Sequence, residues 1–147
     1  MGAYDCSPGG SSAFLDVPPD DAGCTSIHFI ASQQITVGCG GGSYCPASLV
    51  DRWQMAVFLT KVMVGDNPVP TTGVVPGMGS YDCSSGGTSV FLDVPAEDAG
   101  CAAIHYLAAA GVTSGCGNGN YCPDDSLTRA QMAVFLQLPF SLTLYGP

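Results

Sequence analysis

Phe91-Leu92-Asp93-Val94-Pro95-Ala96-Glu97-Asp98-Ala99-Gly100-Cys101 opens the segment that decides the fold. Phe14-Leu15-Asp16-Val17-Pro18-Pro19-Asp20-Asp21-Ala22-Gly23-Cys24, 77 residues earlier, is its counterpart and differs only at Pro19 and Asp20. Working outward from it, Tyr4 to Leu59 aligns with Tyr81 to Leu136 without a gap, and 34 of 56 positions are identical. A repeat this clean identifies what the unit keeps: four cysteines, one His, one Arg and a Gln-Met-Ala-Val-Phe-Leu ending. Those residues are the candidates for folding or for chemistry.

The chain has 147 residues. Two units of about sixty residues each sit near the lower size at which a domain buries enough apolar surface to fold alone. The eight cysteines fall into equivalent sets, Cys6, Cys24, Cys39 and Cys45, then Cys83, Cys101, Cys116 and Cys122. Even numbers at matched spacing in small units read as a disulfide framework and place the chain outside the reducing cytosol. Four sulfurs allow three pairings. Cys39 with Cys45 and Cys116 with Cys122 are favoured because each pair brackets a short Gly-rich loop, which leaves Cys6 with Cys24 and Cys83 with Cys101. Loop-closure entropy assigns about 3 kcal/mol to each longer bridge and about 2 kcal/mol to each shorter one, so reduction is expected to unfold the protein. Zinc is the rival reading, but there is neither a Cys-x-x-Cys nor a His pair, and no metal or other cofactor is expected.

Twelve acids stand against Arg52, Lys61 and Arg129, for a net charge of −9. That balance argues against a nucleic-acid partner. No apolar run approaches the ~20 residues of a membrane helix. Met1-Gly2-Ala3 aligns with Met78-Gly79-Ser80, so Met1 reads as part of the repeat and the chain as a mature or trimmed form.

Along each repeat, a Gly/Ser turn leads into Phe-Leu-Asp-Val-Pro, where Pro18 and Pro95 keep the preceding Val out of a helix. The acids Asp20, Asp21, Glu97 and Asp98 then precede apolar residues at helical spacing, Ile27, Ile30 and Ala31 or Ile104, Leu107 and Ala108. These helices are expected to stop near Gln33-Gln34 and at Gly111. A Gly-rich loop follows, then a second helix from about Val50 or Leu127, with Met55, Phe58 and Leu59, or Met132, Phe135 and Leu136, on its apolar face. Ser126 or Thr128 is a candidate cap in the second copy. The expected fold is mainly α: two tandem, disulfide-stapled helix-loop-helix repeats at 1–61 and 81–138. Between them a Pro/Gly/Val-rich linker at 62–80 is read as extended or β-like, and a strand-like tail at 139–147 ends the chain.

The order Phe-x-Asp-Val-Pro, apolar helix, Thr-x-Gly, aromatic before Pro and Thr128-Arg129-Ala130-Gln131 resembles the S-layer homology domain in a cysteine-containing version. The resemblance covers Phe14 to Leu59 and Phe91 to Leu136. It implies packed helical repeats, usually three, that bind polymers of the cell wall. The family's Thr-Arg-Ala-Glu motif keeps its Arg here but carries Gln131 in place of the acid, and the first copy reads Asp51-Arg52-Trp53-Gln54.

Arg52 and Arg129 occupy one equivalent place and need a specific partner, either an acidic glycan clasped bidentately or an internal or intersubunit acid. Arg52, Arg129, Trp53 and Gln131 are therefore the candidate glycan or intersubunit contacts, with Tyr44 and Tyr121 as further rings for a sugar. His28 and His105 are expected to be packed rings with one hydrogen bond. Asp16 and Asp93 are expected to serve turns or caps, since the loops lack the alternating oxygen ligands of a calcium hand. Thr71-Thr72 between prolines hints at O-glycosylation. No nucleophile or acid/base pair stands out, so no enzyme is expected. The main expectation is an extracellular or cell-surface structural protein that assembles with copies of itself, because it has two repeats where the resembling family uses three. The alternative is an anchor that binds an acidic cell-wall polysaccharide.

Overall fold

The computed structural model describes residues 3–32, 34 and 36–127. Its elements are helix α1 at Cys24–Ser32, helix α2 at Arg52–Val64, strands β1 at Thr72–Val75 and β2 at Gly79–Asp82, and helix α3 at Cys101–Ala109. The expectations for Arg129, Gln131, Thr128, the last helix and the tail at 139–147 lie outside the described residues.

The fold is a small, disulfide-rich mixed α/β fold, which corrects the mainly α expectation. The described part holds three short helices and one two-stranded antiparallel sheet, with only about a quarter of it helical. One reason lies in the linker. Pro76-Gly77 forms a tight turn with Met78 N–H donating to the Val75 carbonyl at 3.0 Å and Gly77 at φ 77°. Proline at the second position and a positive φ at the third is the type II pattern. The turn folds β1 onto β2 in the register Val75↔Gly79, Val74↔Ser80, Gly73↔Tyr81 and Thr72↔Asp82. The extended, β-like linker expected over this stretch takes the form of a hairpin. The other reason is that much of each repeat is spent on turns such as Ser7–Gly10 and Ser84–Gly87, whose backbone groups bond locally.

The helices end and begin where side chains or glycines satisfy their free backbone groups. At the start of α2, the Asp51 carboxylate accepts from Gln54 N–H at 2.7 Å, and the Gln54 amide oxygen accepts from Asp51 N–H at 3.2 Å. This reciprocal box caps the N-terminus. At the end of α3, Gly111 sits at φ 74°; its N–H donates to the Ala108 carbonyl and that of Val112 to the Leu107 carbonyl. That pair of bonds is a Schellman stop, and it buries Val112.

The chain divides into two compact units, Met1–Ser48 and Leu49–Pro147. In the first, Phe14, Val17, Cys24, Ile27 and Ala31 form the core, with Cys6 and Tyr44 packed against it. In the second, Phe91, Val94, Ile104, Leu107 and Tyr121 are joined by Met55, Ala56 and Leu59 of α2 and by Val75 and Tyr81 of the hairpin. The sequence repeat and the packing unit therefore have different boundaries, because the helix that closes the first repeat buries its apolar face in the second unit.

Candidate functional site

Each unit is organised around a buried His. The Nε2 atom of His105 accepts from Val90 N–H at 3.1 Å, which places the ring proton on Nδ1, 2.8 Å from the Cys101 carbonyl. His28 makes the same pair, from Ala13 N–H at 2.9 Å and to the Cys24 carbonyl at 2.8 Å. Each ring is sandwiched by aromatics, Tyr81 and Phe91 at 4.8 and 5.5 Å or Tyr4 and Phe14 at 4.4 and 5.4 Å. Burial holds the His105 pKa below its ordinary value, against a smaller opposing pull from the bond to Cys101. Instead of one hydrogen bond, each His uses both nitrogens to tie an opening loop to its helix.

Ser89 Oγ lies 3.1 Å from His105 Nε2, but it donates to the Phe91 carbonyl at 2.9 Å. A nucleophile needs its base free to take the proton, and here Nε2 already accepts from a backbone donor. Ser12 and His28 repeat the arrangement at 3.2 Å.

A second tie was poorly legible in the sequence. The two oxygens of Asp93 accept separately from Tyr121 N–H and Cys122 N–H, both at 2.7 Å. Asp16 does the same with Tyr44 N–H and Cys45 N–H, also at 2.7 Å. Cys45 and Cys122 sit at φ 60° and 59°, a left-handed conformation that residues with a Cβ resist. The carboxylate clasp holds that turn in place, and the bonds to Tyr44 and Cys45 hold the Asp16 pKa below the usual range. Turn service was expected of these acids; the structure makes it a long-range clasp. The available signal was the identity of Asp and Tyr-Cys-Pro in both copies.

The sulfurs are joined as Cys6–Cys24, Cys39–Cys45, Cys83–Cys101 and Cys116–Cys122. Cys6 and Cys24 gather with His28, and Cys83 and Cys101 with His105, in groups of metal-ligating type. Each pair of sulfurs is committed to a disulfide, and each Nδ1 faces a carbonyl, so the donor set of a thiolate metal centre is not presented.

Arg52 is buried within the second unit. Its Nε donates to the Tyr121 carbonyl at 2.8 Å and its guanidinium carbon lies 4.6 Å from the Tyr121 ring centroid. The Tyr121 hydroxyl donates back to the Arg52 carbonyl at 2.9 Å, and burial pushes its pKa up to about 12. Arg52 is thus an internal packing cation, and its side chain is not displayed to a polymer. Trp53 is half-buried, with Nε1 donating to Asp98 Oδ1 at 2.7 Å. The same oxygen accepts from Gly100 N–H. Tyr121 is fully buried and Tyr44 partly so.

Residues 90–133 match the S-layer homology domain. The match covers less than half of the chain and falls on the second repeat, spanning Phe91, Asp93, His105, Tyr121 and the position of Arg129. No curated protein matches the chain. No helix among the described residues is long and apolar enough to cross a membrane.

Proposed function

We propose that the chain is a noncatalytic cell-surface module of the S-layer homology type that holds on to an acidic cell-wall polysaccharide. The observation that carries this reading is the match over residues 90–133, to a family of binding and anchoring domains. The gapless repeat extends it to the first copy, where the His and Asp ties recur. Four disulfides agree with an extracellular setting. Both nitrogens of each His are engaged with backbone groups, which supports binding over catalysis.

With Arg52 internal, Arg129 is the motif cation left to contact a glycan. A pull-down on purified wall polysaccharide, comparing wild type with Arg129→Ala, tests the reading. Retention of the wild type and loss in the variant supports it; failure of the wild type to be retained sinks it.

Self-assembly is the second reading. Leu15 and Leu92 hold equivalent positions and are 85% and 83% exposed, so each repeat offers a large apolar side chain to a partner. Size-exclusion chromatography of oxidised protein over a wide concentration range decides: growth in size favours a polymer, and an unchanged monomer removes it.

A further inference from the structure

We infer that residues 128–136 of one chain dock onto the first unit of a second copy, as α2 docks within the second unit. This rests on the self-assembly reading and names the surface and the segment that carry it.

The interface is present once in the structure. α2 ends the first repeat, yet it lies in the second unit, with Met55, Ala56 and Leu59 in that unit's core. Main-chain bonds fix its entry. Arg52 N–H donates to the Asp125 carbonyl and Trp53 N–H to the Pro123 carbonyl, both at 2.9 Å, and Leu127 N–H donates to the Val50 carbonyl at 3.1 Å. Side chains complete the seat. Arg52 lies over Tyr121, Trp53 reaches Asp98 and Gly100, and the Thr60 hydroxyl donates to the Ala103 carbonyl at 3.1 Å.

The first unit repeats this receiving surface. Its counterparts, 77 residues earlier, are Asp21, Gly23, Ser26, Tyr44, Pro46 and Ser48. The scaffold beneath them is built alike. Asp21 Oδ1 accepts from Gly23 N–H at 2.7 Å as Asp98 Oδ1 does from Gly100 N–H, and Asp16 holds the Tyr44 turn as Asp93 holds that of Tyr121. Exposure separates the two units. Gly100, Ala103 and Tyr121 are buried, whereas Gly23 and Tyr44 are half-buried and Ser26 is exposed. Leu107 is wholly enclosed, and its counterpart Ile30 is half-buried. The first unit thus has a surface of the shape that takes α2, with less laid over it.

The repeat supplies the occupant. Gln131-Met132-Ala133-Val134-Phe135-Leu136 matches Gln54 to Leu59 letter for letter, and Arg129 stands where Arg52 does. Ala130 stands in place of Trp53 and Gln137 in place of Thr60, so those two contacts are not repeated. A second copy is the partner because α2 covers the unit that follows its own repeat. By the same forward step, the segment that ends the second repeat covers the first unit of the next chain. Such a head-to-tail contact uses different surfaces on the two copies and propagates when its rotation does not close. Docking also encloses Arg129 against the Tyr44 ring, which withdraws it from a glycan.

Light scattering of the oxidised chain over a concentration series tests the inference. The wild type is expected to grow in mass. Ser26→Arg alters an exposed position beneath the incoming segment, and Ala133→Arg alters the counterpart of the fully buried Ala56. Each variant alone is expected to stay a single chain, and their equimolar mixture to stop at two, because one intact donor and one intact receiver remain. Excess Ser26→Arg added to wild type is expected to shorten the polymer, since it donates a segment and receives none; this arm does not depend on how Ala133→Arg folds. Growth of Ser26→Arg to the wild-type mass, no shortening by it, or a mixture of natively folded variants that stays at single chains would each overturn the inference and leave self-assembly standing. A wild type that stays a single chain at every concentration removes both.

Discussion

Tyr4 stacked on His28 and Tyr81 stacked on His105 are the same contact in two settings. Tyr4 is 39% exposed and Tyr81 only 4%. The hydrogen bonds of the two His residues match to within a few tenths of an ångström, so local chemistry is common to both. The settings differ in what surrounds them. In the second unit, β2 carries Tyr81 into a core that also holds Val75 of β1 and Met55, Ala56 and Leu59 of α2. Among the described residues, the first unit's core cluster holds five buried hydrophobic side chains around His28. A duplicated sequence therefore reproduces the clasp, while added elements decide how well the clasp is shielded.

The strongest way to break this comparison is to hollow out each core at the same place. Phe91→Ala is expected to cost about 3–5 kcal/mol, the usual range for a buried aromatic. Phe14, with fewer buried neighbours to leave a rigid cavity, is expected to cost less on the same change. Chemical unfolding with hydrogen exchange read separately in each unit checks this, and equal losses would contradict it.

A smaller effect sharpens the contrast at the glycine before each helix. A Cβ at Gly100 would collide with the Trp53 indole, whereas at Gly23 its nearest neighbour is Asp21 Oδ1 at 3.1 Å. Gly100→Ala is expected to cost roughly 1–3 kcal/mol through overpacking and to disturb Trp53 fluorescence. Gly23→Ala should cost less than about 1 kcal/mol. Similar melting temperatures for the two variants would count against the packing described for α2.

The smallest effect is a pH dependence. His105 has its folded pKa below the ordinary 6.5 because burial disfavours the imidazolium. Above that value both folded and unfolded forms are neutral and the contribution is complete. As pH falls below 6.5, the unfolded chain takes up the proton first and stability is lost until the folded pKa is passed. Asp16, Asp82 and Glu97 have lowered pKa values, so their contributions fade only at more acidic pH. Unfolding midpoints between pH 7.5 and 5 should slope in the wild type and flatten in His105→Gln; parallel slopes would remove His105 as the cause.

Much of this architecture was readable in advance wherever the determining contacts are short in sequence. The cysteine spacing pointed to four disulfides, and the Pro-bounded Phe-Leu-Asp-Val-Pro stretch to a non-helical opening. Gly111 marked the end of α3 because only a residue free of Cβ strain accepts that turn cheaply. The linker was legible as extended, β-like chain from its prolines and valines, whereas the reversal at Pro76-Gly77, itself a turn signal, and the pairing of Val75 with Gly79 came only with the structure. The candidate glycan residues fared according to distance: Arg52 has its partner, Tyr121, 69 residues away. No spacing rule reaches that far.

The amino-acid sequence alone determined that one unit is written twice, which cysteines can staple it, and which family the second copy resembles, because these depend on composition and near neighbours. Tertiary structure alone decided that α2 serves the second unit, that Asp16 and Asp93 clasp turns 28 residues on, and that Arg52 lies inside. Those outcomes depend on which apolar faces find cover and which buried polar groups find partners. Both are settled only when distant segments compete for the same core.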